Sequence, residues 1–583
     1  MANTSAQTEQ QIASLEKRSI VSSFLFKYPD IHSRAAEVAL FHRSDKVRTY
    51  QHYLAPISGS IDRHTDASPL DAAWRELKEE TSLTPDSAKL WRKGRPFTFQ
   101  DYSVGREWTI YPFAFLLKLQ TRTRRHTVDE ECIAGDGETD GVVLDWEHSF
   151  HNWYDPDEVL SRLLEDGEEA RVSGQKLVPR IADSLIQVYP EYELGPVAGR
   201  RLREGLQQLQ DDHESGAREL TTIALNIFRD VLNDVRPSDS DAVGTNWEEW
   251  WRKARLTAWH IWMNGRESMG AAIASALLTA LAELEPLYRD LQPDGENVDR
   301  LIDALIEKRR AMTTALSQAF TVYVDDELWE YRDKTTLKIV SLSASSTIRE
   351  SILQLLSALA EGRIHTVVAG GRIRTVELRV LESRPLFEGV SLASAIVSSY
   401  EKSRKDREHE VQLHVTIYTD ASAALACTGV DMLLLGADRI AKDGAVSNKT
   451  GSLPAILAAK HVAPRSKVVV LSELDKVADP DYHPAVENSD VEEVMAAWRK
   501  TVREEALGVV EAGGGNVPGR GRVEVKNVYF EWVPPELIDA YITEEGIQGE
   551  ENIRQRSQWI DKQIHRFFDD LTEASQSSMS CKY

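Results

Sequence analysis

The chain opens as an alternation of short apolar runs and polar turns. The runs at 36–41 and 109–119 have the length and composition of strands. Helical spacing appears over 68–81, and a second helix is expected over 155–165. From about 202 to 324 the texture changes. Leu220, Ile223, Ala224, Ile227 and Phe228 recur at helical spacing, as do Leu301, Leu305 and Ile306, and strand signals almost vanish. Loops are expected at 237–241 and 293–296, where Pro and Asp cluster. From 335 onward, apolar runs at 337–340, 376–381, 414–418, 432–435 and 468–471 read as buried strands, separated by helical stretches such as 453–460. That alternation implies a parallel sheet covered on both faces.

The pattern divides the chain into a flexible leader (1–18), a mixed α/β domain (19–196), a helical subdomain (197–333), a Rossmann-like parallel-sheet subdomain (334–549) and a polar, mobile tail (550–583). The fold class is therefore α/β multidomain. At 583 residues and 42% hydrophobic, the chain can bury more than one core. Its formal net charge of −24 argues against direct nucleic-acid binding, which needs clustered Lys and Arg. The three cysteines, Cys132, Cys427 and Cys581, are too far apart for a disulfide framework or a zinc spacing. The first residues lack a signal-peptide core, and the apolar stretch at 269–281 is too short to span a bilayer. A cytoplasmic or nuclear soluble protein is expected.

The helix at 68–81 carries the first candidate chemistry. Ser68 is placed to cap it, Pro69 suits its first turn and Asp71 completes a capping-box pattern. Glu76 lies three and four residues from Glu79 and Glu80, so the three carboxylates share a face, while Ala73 and Leu77 point elsewhere. Most acidic helix faces are only solvated, but carboxylates this close repel unless a cation joins them. Mg²⁺ (or Mn²⁺), hard and oxygen-seeking, is the natural partner, and such an ion polarises a diphosphate and orients water. The stretch from Gly59-Ser60-Ile61 through Arg75-Glu76-Leu77-Lys78-Glu79-Glu80-Thr81-Ser82-Leu83 resembles the Nudix box. The resemblance implies an α/β/α sandwich and a metal-dependent hydrolase of a nucleoside diphosphate linked to another moiety. Glu76, Glu79 and Glu80 would hold the metal, with Glu79, Glu80 and Arg75 as the catalytic set. The chain departs from the motif at Ala67, where the first Glu is expected, at Ser82, where Gly is usual, and in a loop about two residues longer. Trp91, Trp108 and Tyr111 are candidates to stack on a base, with core packing the equally simple role.

The second candidate is a row of strand ends, where open parallel sheets bind ligands. Ser341 to Ser346, Glu382-Ser383-Arg384-Pro385, Thr419-Asp420, and Gly436-Ala437-Asp438-Arg439-Ile440 each follow a strand, and Gly444 to Gly451 leads into a helix. Singly, each is an ordinary cap or turn. Together on one edge, helix starts and Lys449 can hold a phosphate, and Asp438 and Asp420 can grip hydroxyls or move a proton. These motifs, with Asn264-Gly265-Arg266-Glu267-Ser268-Met269 upstream and 527–546 downstream, resemble the family uniting the α, β and δ subunits of translation initiation factor 2B with methylthioribose-1-phosphate and ribose-1,5-bisphosphate isomerases. Ser215-Gly216-Ala217 resembles another family loop without its Arg.

The resemblance covers about 202 to 549. It implies a helical subdomain, a Rossmann-like subdomain, homodimerisation through the latter, and translation-factor subunits as alternative partners. It makes Arg266, Ser268, Ser343, Ser345, Arg384, Asp420, Asn448 and Lys449 substrate-binding candidates for a sugar phosphate or nucleotide, and Asp438 the catalytic acid/base. In the isomerases a Cys partners that Asp; its position here is Ser343, and a hydroxyl is a poor proton carrier near neutral pH. Two functions follow from the fusion. One is a diphosphate hydrolase whose second domain binds the ribose phosphate that an ADP-ribose-like substrate would release. The other is a regulatory or assembly protein of the initiation factor 2B type, or a sugar-phosphate isomerase.

Overall fold

The structure is a computed structural model. It describes residues 15–29, 35–102, 105–118, 140–212, 215–237, 247–290, 295–328, 334–342, 344–364, 373–403, 411–479, 490–512 and 523–571. The chain divides into two compact units. The first comprises Met1–Asp212, Asp230–Gly265 and Phe567–Tyr583; the second comprises His213–Arg229 and Arg266–Arg566.

The first unit is built on an eight-stranded mixed sheet: β1 (Glu16–Lys27), β2 (Glu37–Arg43), β3 (Leu54–Ala55), β4 (Ile57–Ser60), β5 (Ala88–Lys93), β6 (Phe97–Asp101), β7 (Arg106–Leu117) and β8 (His148–Tyr154). The central pair, β1 and β7, runs parallel, and the other pairings are antiparallel. Strand alternation sends the apolar residues of β1 and β2 to opposite faces. Val21, Leu25, Ala39 and Phe41 pack against Ala73 and Leu77 of α1 (Pro69–Thr81). Phe24, Phe26, Val38 and Leu40 pack against α2 (Pro156–Asp166) and α3 (Ile181–Val188). The sheet thus has helices on both faces. The ribbon β9 (Arg171–Val172) and β10 (Gln175–Lys176) precedes α3, and α4 (Glu191–Leu194) and α5 (Pro196–Asp211) follow it. Further on, α6 (Ala217–Asp234) is shared between the units at Arg229/Asp230, and α7 (Trp247–Asn264) belongs to the first. Within that unit Asn264 imitates a pairing strand: Oδ1 accepts the Lys93 N–H at 2.6 Å and Nδ2 donates to the Lys93 carbonyl at 3.0 Å.

The second unit holds the long helices α8 (Gly270–Asp290) and α9 (Gly295–Leu328), then strands alternating with helices. These are β11 (Thr336–Ser341), α10 (Ser346–Ala360), β12 (Thr375–Leu381), α11 (Glu388–Ser403), β13 (Gln412–Tyr418), α12 (Ala423–Ala426), β14 (Met432–Leu435), β15 (Arg439–Ile440), β16 (Val446–Lys449), α13 (Ser452–Val462), β17 (Lys467–Leu471), α14 (Val491–Trp498), α15 (Glu504–Ala512), β18 (Phe530–Val533), β19 (Ala540–Thr543) and β20 (Gly546–Gln548). The main sheet runs β13-β12-β11-β14-β17-β19-β20, parallel except at β20, and β15-β16-β18 form a small antiparallel sheet. Ile339, Leu378, Leu434 and Val469 share a core with α9, α10 and α11, and the alternating Leu433, Leu435, Val468 and Val470 are buried as well. Strand order reverses between β11 and β14, so that crevice is the ligand-binding position of an open α/β sheet.

Several expectations need correction. Residues 550–583 are not all a polar tail, because Glu550–Phe568 form α16, a 19-residue helix with Ile553 and Ile560 buried. The leader ends earlier than 18, since β1 starts at Glu16. Gly295 and Glu296 open α9 rather than completing a loop. The helical stretch 197–333 is not one packed body, since α5 and α7 go with the first unit and α8 and α9 with the second. The apolar stretch near 269–281 extends into a helix, Gly270–Arg289, long and apolar enough to cross a membrane by length and composition, with 67% of its apolar window buried in the protein. Cys132, Cys581, residue 119 and most of 237–241 lie outside the described residues, whereas Cys427 is buried and free.

Candidate functional site

In the first unit, α1 starts as its sequence dictates. Ser68 accepts from the Asp71 N–H and Pro69 occupies the first turn. It ends at Ser82 in the left-handed region (φ 58°), which Gly enters freely and Ser enters at a cost of about 1 kcal/mol. Arg75 is the hub of this site. Its Nε and Nη2 bond both oxygens of Asp66 at 3.0 and 2.9 Å, its Nη1 bonds Glu76 at 2.7 Å and Glu79 at 3.3 Å, and Nη2 also reaches the Ser60 carbonyl at 3.0 Å. Asp66, side chain only 3% exposed, has its pKa lowered by the hydrogen bonds from Arg75, against its burial. It stands one residue before Ala67, where the motif expects its first carboxylate, and sequence reasoning missed it. Gly59 is needed for the same reason: a Cβ there would lie 1.9 Å from the Glu76 carboxyl.

Glu80 points the other way, into the protein. It is buried, within 3.4 Å of His148 Nδ1 but without hydrogen-bond geometry. Burial first, then the charges of Glu76, Glu147 and Asp145, push its carboxyl well above the ordinary range. Burial likewise raises Glu76 and Glu147, and lowers His148 to about 4. Glu147 and His148 are held beside α1 by backbone bonds from Val143 to Thr81 and from Asp145 to Glu80. No local sequence signal joined them to α1. Among the described residues no three His, Cys, Asp or Glu side chains converge as a ready metal site. Glu76 and Glu79 are turned to Arg75, and what remains around Glu80 is a concentration of carboxylates with Arg43 as the cation in its field. Trp91 is core, Trp108 carries Arg106 over its ring at 5.2 Å, and Tyr111 packs at the margin of the α1 core.

In the second unit the switch between β11 and β14 gathers Ser345, Gly436, Asp438 and Asn448. A Cβ on Gly436 would lie 3.7 Å from both Asn448 Oδ1 and Ser345 Oγ, so the bare glycine leaves the Ser345 and Asn448 groups facing one spot. Asp438 is half-buried; burial pushes its carboxyl up, while Lys476, Lys449 and Arg439 pull it down. Lys476 Nζ donates to the Ala437 carbonyl at 2.5 Å, fixing a cation at the foot of Asp438, another residue that sequence reasoning missed. Asn448 Nδ2 donates to Ser452 Oγ, and Ser345 caps α10 by accepting from Ile348 N–H. Arg439 Nη2 reaches the Glu267 carbonyl at 3.5 Å, which ties the turn after Arg266 to the Asp438 segment. Ser268 lies in that turn, and Ser343 lies outside the described residues.

Two candidates have other employment. Both Asp420 oxygens accept backbone N–H groups, from Ser383 at 2.9 Å and Arg384 at 2.8 Å, so its carboxylate shapes the turn beyond β12 instead of standing free for a sugar hydroxyl. Lys449 is paired with Glu388 at 3.1 Å and lies over the Tyr529 and Phe530 rings. With Arg384, Ser383 and Tyr529 it lines a shallow pocket that does not include Asp438.

A parallel sheet with its polar groups collected at the topological switch defines a Rossmann-like domain. Residues 204–549 match the initiation factor 2 subunit family, and the chain belongs to that family. It is 27% identical over 265 residues to a methylthioribose-1-phosphate isomerase of Geobacillus kaustophilus (43% of this chain, 65% of that one). It is 31% identical over 177 residues to the enzyme of that name from Syntrophus aciditrophicus (30% and 41%). A probable bifunctional methylthioribose-1-phosphate isomerase/methylthioribulose-1-phosphate dehydratase of Nocardia farcinica is 31% identical over 207 residues (33% of each chain). The chain thus spans less than two thirds of the length of these relatives. Among solved structures it is similar to a translation initiation factor eIF-2B of Pyrococcus horikoshii (18% identity, TM-score 0.36, 60% of this chain and 96% of that one). It is also similar to a 5-methylthioribose 1-phosphate isomerase of the same organism (16% identity, TM-score 0.38, 62% and 88%).

Proposed function

We propose that the 204–549 domain binds a small sugar phosphate at the carboxyl ends of β11 and β14, with Asp438 as its proton-handling group. The observation that carries this is Asp438 itself: a carboxyl raised by burial at the sheet's switch point, with Lys476 and Lys449 in its field. Family membership and relatives named as methylthioribose-1-phosphate isomerases support the same ligand class. A carboxyl whose pKa is raised accepts a proton more readily than an ordinary one, and moving a carbonyl between adjacent sugar carbons requires a group that takes and returns a proton. Ser343 in place of a thiol removes the second proton carrier, so binding with slow or absent isomerisation is the expected behaviour. The test is calorimetric titration of the full chain with methylthioribose-1-phosphate and ribose phosphates, beside Asp438→Asn and Ser343→Cys. Binding lost in Asp438→Asn, with isomerisation gained or accelerated in Ser343→Cys, supports the reading; no binding of any of these sugars sinks it. Leu386, Phe387 and Leu425 are exposed apolar residues of this domain, and homodimerisation through it is the partner reading. Light scattering at working concentration checks that, with translation-factor subunits in pull-downs as the contrary result.

A second reading rests on Arg75 and Asp66. The ion pair of part-buried Arg75 with buried Asp66, one residue before the missing motif carboxylate, supports a Nudix-type hydrolase in the first unit; Glu76, Glu79 and Glu80 would hold Mg²⁺ (or Mn²⁺) once Glu80 turns from the interior toward the other two. When bound, that ion would supply charge neutralisation for a diphosphate. Arg75 positions Glu76 and Glu79, and Glu80 with Glu147 supplies the remaining acidic groups. Incubating the protein with Mg²⁺ and ADP-ribose or nucleotide sugars, beside Glu79→Gln/Glu80→Gln, tests it: turnover that the double variant lacks is expected.

A further inference from the structure

On the α3 side of the first unit's sheet, four arginines lie near one another and only three have a carboxylate partner. Arg92 is bonded by both Glu191 oxygens at 2.5 and 2.6 Å, Arg252 by Glu193 at 2.6 Å and Arg255 by Asp570 at 2.5 Å. Arg95 is 6% exposed. Its Nε donates to Gln187 Oε1 at 2.9 Å and its guanidinium faces Trp259 at 5.6 Å, but among the described residues no carboxylate pairs with it and its buried Nη1 has no hydrogen-bond acceptor. Burial lowers its pKa to about 10, which still leaves it charged at neutral pH.

His260 packs against the same Trp259 ring, edge-on at 4.9 Å, and is fully buried. Its tautomer follows from its neighbours. The Lys93 N–H can only donate and the Lys93 carbonyl can only accept, which fixes the amide of Asn264 with Nδ2 as donor. That Nδ2 lies 3.1 Å from His260 Nδ1, so Nδ1 is the acceptor and the ring proton sits on Nε2. Nε2 has no partner either. Burial, with Arg92 and Arg95 nearby, holds the ring neutral.

Two buried N–H donors packed against the same indole therefore lack an acceptor, and one of them belongs to the one arginine of the four without a carboxylate of its own, since Glu193 and Asp570, which also act on Arg95, are paired with Arg252 and Arg255. A buried donor left unsatisfied and a buried charge left unpaired are both costly. A water would satisfy the donors and leave the charge; a small anion satisfies both. We infer that Arg95 and His260 donate to a small monovalent inorganic anion of the halide class, bound between β5, α3 and α7. Asn264 is its positioning residue, because it sets the His260 tautomer. The site is separate from the α1 carboxylates and from the ligand edge of the second unit.

The test is thermal melting of the full chain in sodium chloride or bromide against sodium gluconate at equal ionic strength, together with bromide anomalous diffraction from crystals of the unmodified protein. The expected result is a saturable halide-specific rise of about 3 °C, as a single tenfold-saturated site gives. It should be absent in Arg95→Gln and accompanied by an anomalous peak within hydrogen-bond distance of Arg95 Nη1 and His260 Nε2. The diffraction experiment stands even if Arg95→Gln fails to fold. Equal melting in halide and gluconate, no peak at that position (a water there instead), or a peak without any melting response (binding at crystal concentration only) would each overturn the inference.

Discussion

The two candidate sites are built in opposite ways. The α1 site draws most of its groups from one helix: Arg75, Glu76, Glu79 and Glu80 are fixed relative to one another by 3.6-residue geometry before any tertiary contact forms. The strand-edge site draws Ser345, Asp438, Asn448 and Lys476 from separate segments, and only the sheet order brings them together. The first arrangement concentrates like charge and must spend Arg75 on relieving it. The second sets one raised carboxyl among Lys476, Lys449 and Arg439, two of them contributed by segments distant in sequence. A local site is therefore exposed to electrostatic damage, and a distributed site to loss of architecture.

The largest effect expected separates the chemistry of the sites. Glu80→Gln should lower any diphosphate hydrolysis by at least about a hundredfold, measured as product release in Mg²⁺, and leave sugar-phosphate binding unchanged. A loss of both would break the view that the sites are independent. Next in size is Arg75→Ala. It leaves Asp66 buried without its cation, and an orphaned buried charge costs about 3 kcal/mol. Urea melts should show that loss, and Arg75→Ala/Asp66→Ala should recover part of it.

How much of each site could be read beforehand follows the same division. The α1 helix and its cap are local, so the sequence spacing was enough, but the expected shared face of three carboxylates was not, because Glu80 turns into the protein while Glu76 and Glu79 turn to Arg75. Asp66 escaped because it stands one residue out of register with the motif, and Glu147 and His148 escaped because only backbone bonds beyond 140 place them beside Glu80. At the other site, the apolar runs marked β11, β12, β14 and β17 within a residue or two, since strands buried on both faces are continuous in hydrophobicity. The occupation of Asp420 by two backbone amides was not readable, because an Asp after a strand looks alike whether it binds a ligand or its own chain. Helix α16 was missed for a different reason. Before its last turn its buried apolar residues are Ile553 and Ile560 alone, seven apart, with Phe567 and Phe568 at the end, a stripe too narrow to stand out among charged neighbours.

A pH experiment sharpens the contrast from the second unit's side. Glu544, just beyond β19, is raised to about 7, first by burial and then by Asp475 and Glu473, against the Leu474 N–H that it accepts. Its folded pKa lies above the unfolded value of 4.5, so the folded state binds the extra proton. Its contribution is fully present below pH 4.5 and is lost as pH rises through 7, a decline of about 2 kcal/mol after discounting its partly open surface. Urea titrations at pH 5 and pH 8 should show the decline in the native chain and a much smaller one in Glu544→Gln.

The smallest effect is the most diagnostic for the strand edge. Ser68 and Ser345 are both helix N-caps, each accepting a backbone N–H three residues on. Replacing either by Ala should cost about 1 kcal/mol. Ser68 stands at the far end of α1 from Glu80, so Ser68→Ala should change stability and nothing else. Ser345 shares the Gly436 spot with Asn448, so Ser345→Ala should cost the same stability and also weaken sugar-phosphate affinity, by about five- to tenfold for one lost hydrogen bond. Melting curves and calorimetric titration of the two variants side by side decide the point. If Ser345→Ala loses stability alone, as Ser68→Ala should, then its hydroxyl is only a cap and the ligand edge narrows to Asp438, Asn448 and the backbone around Gly436.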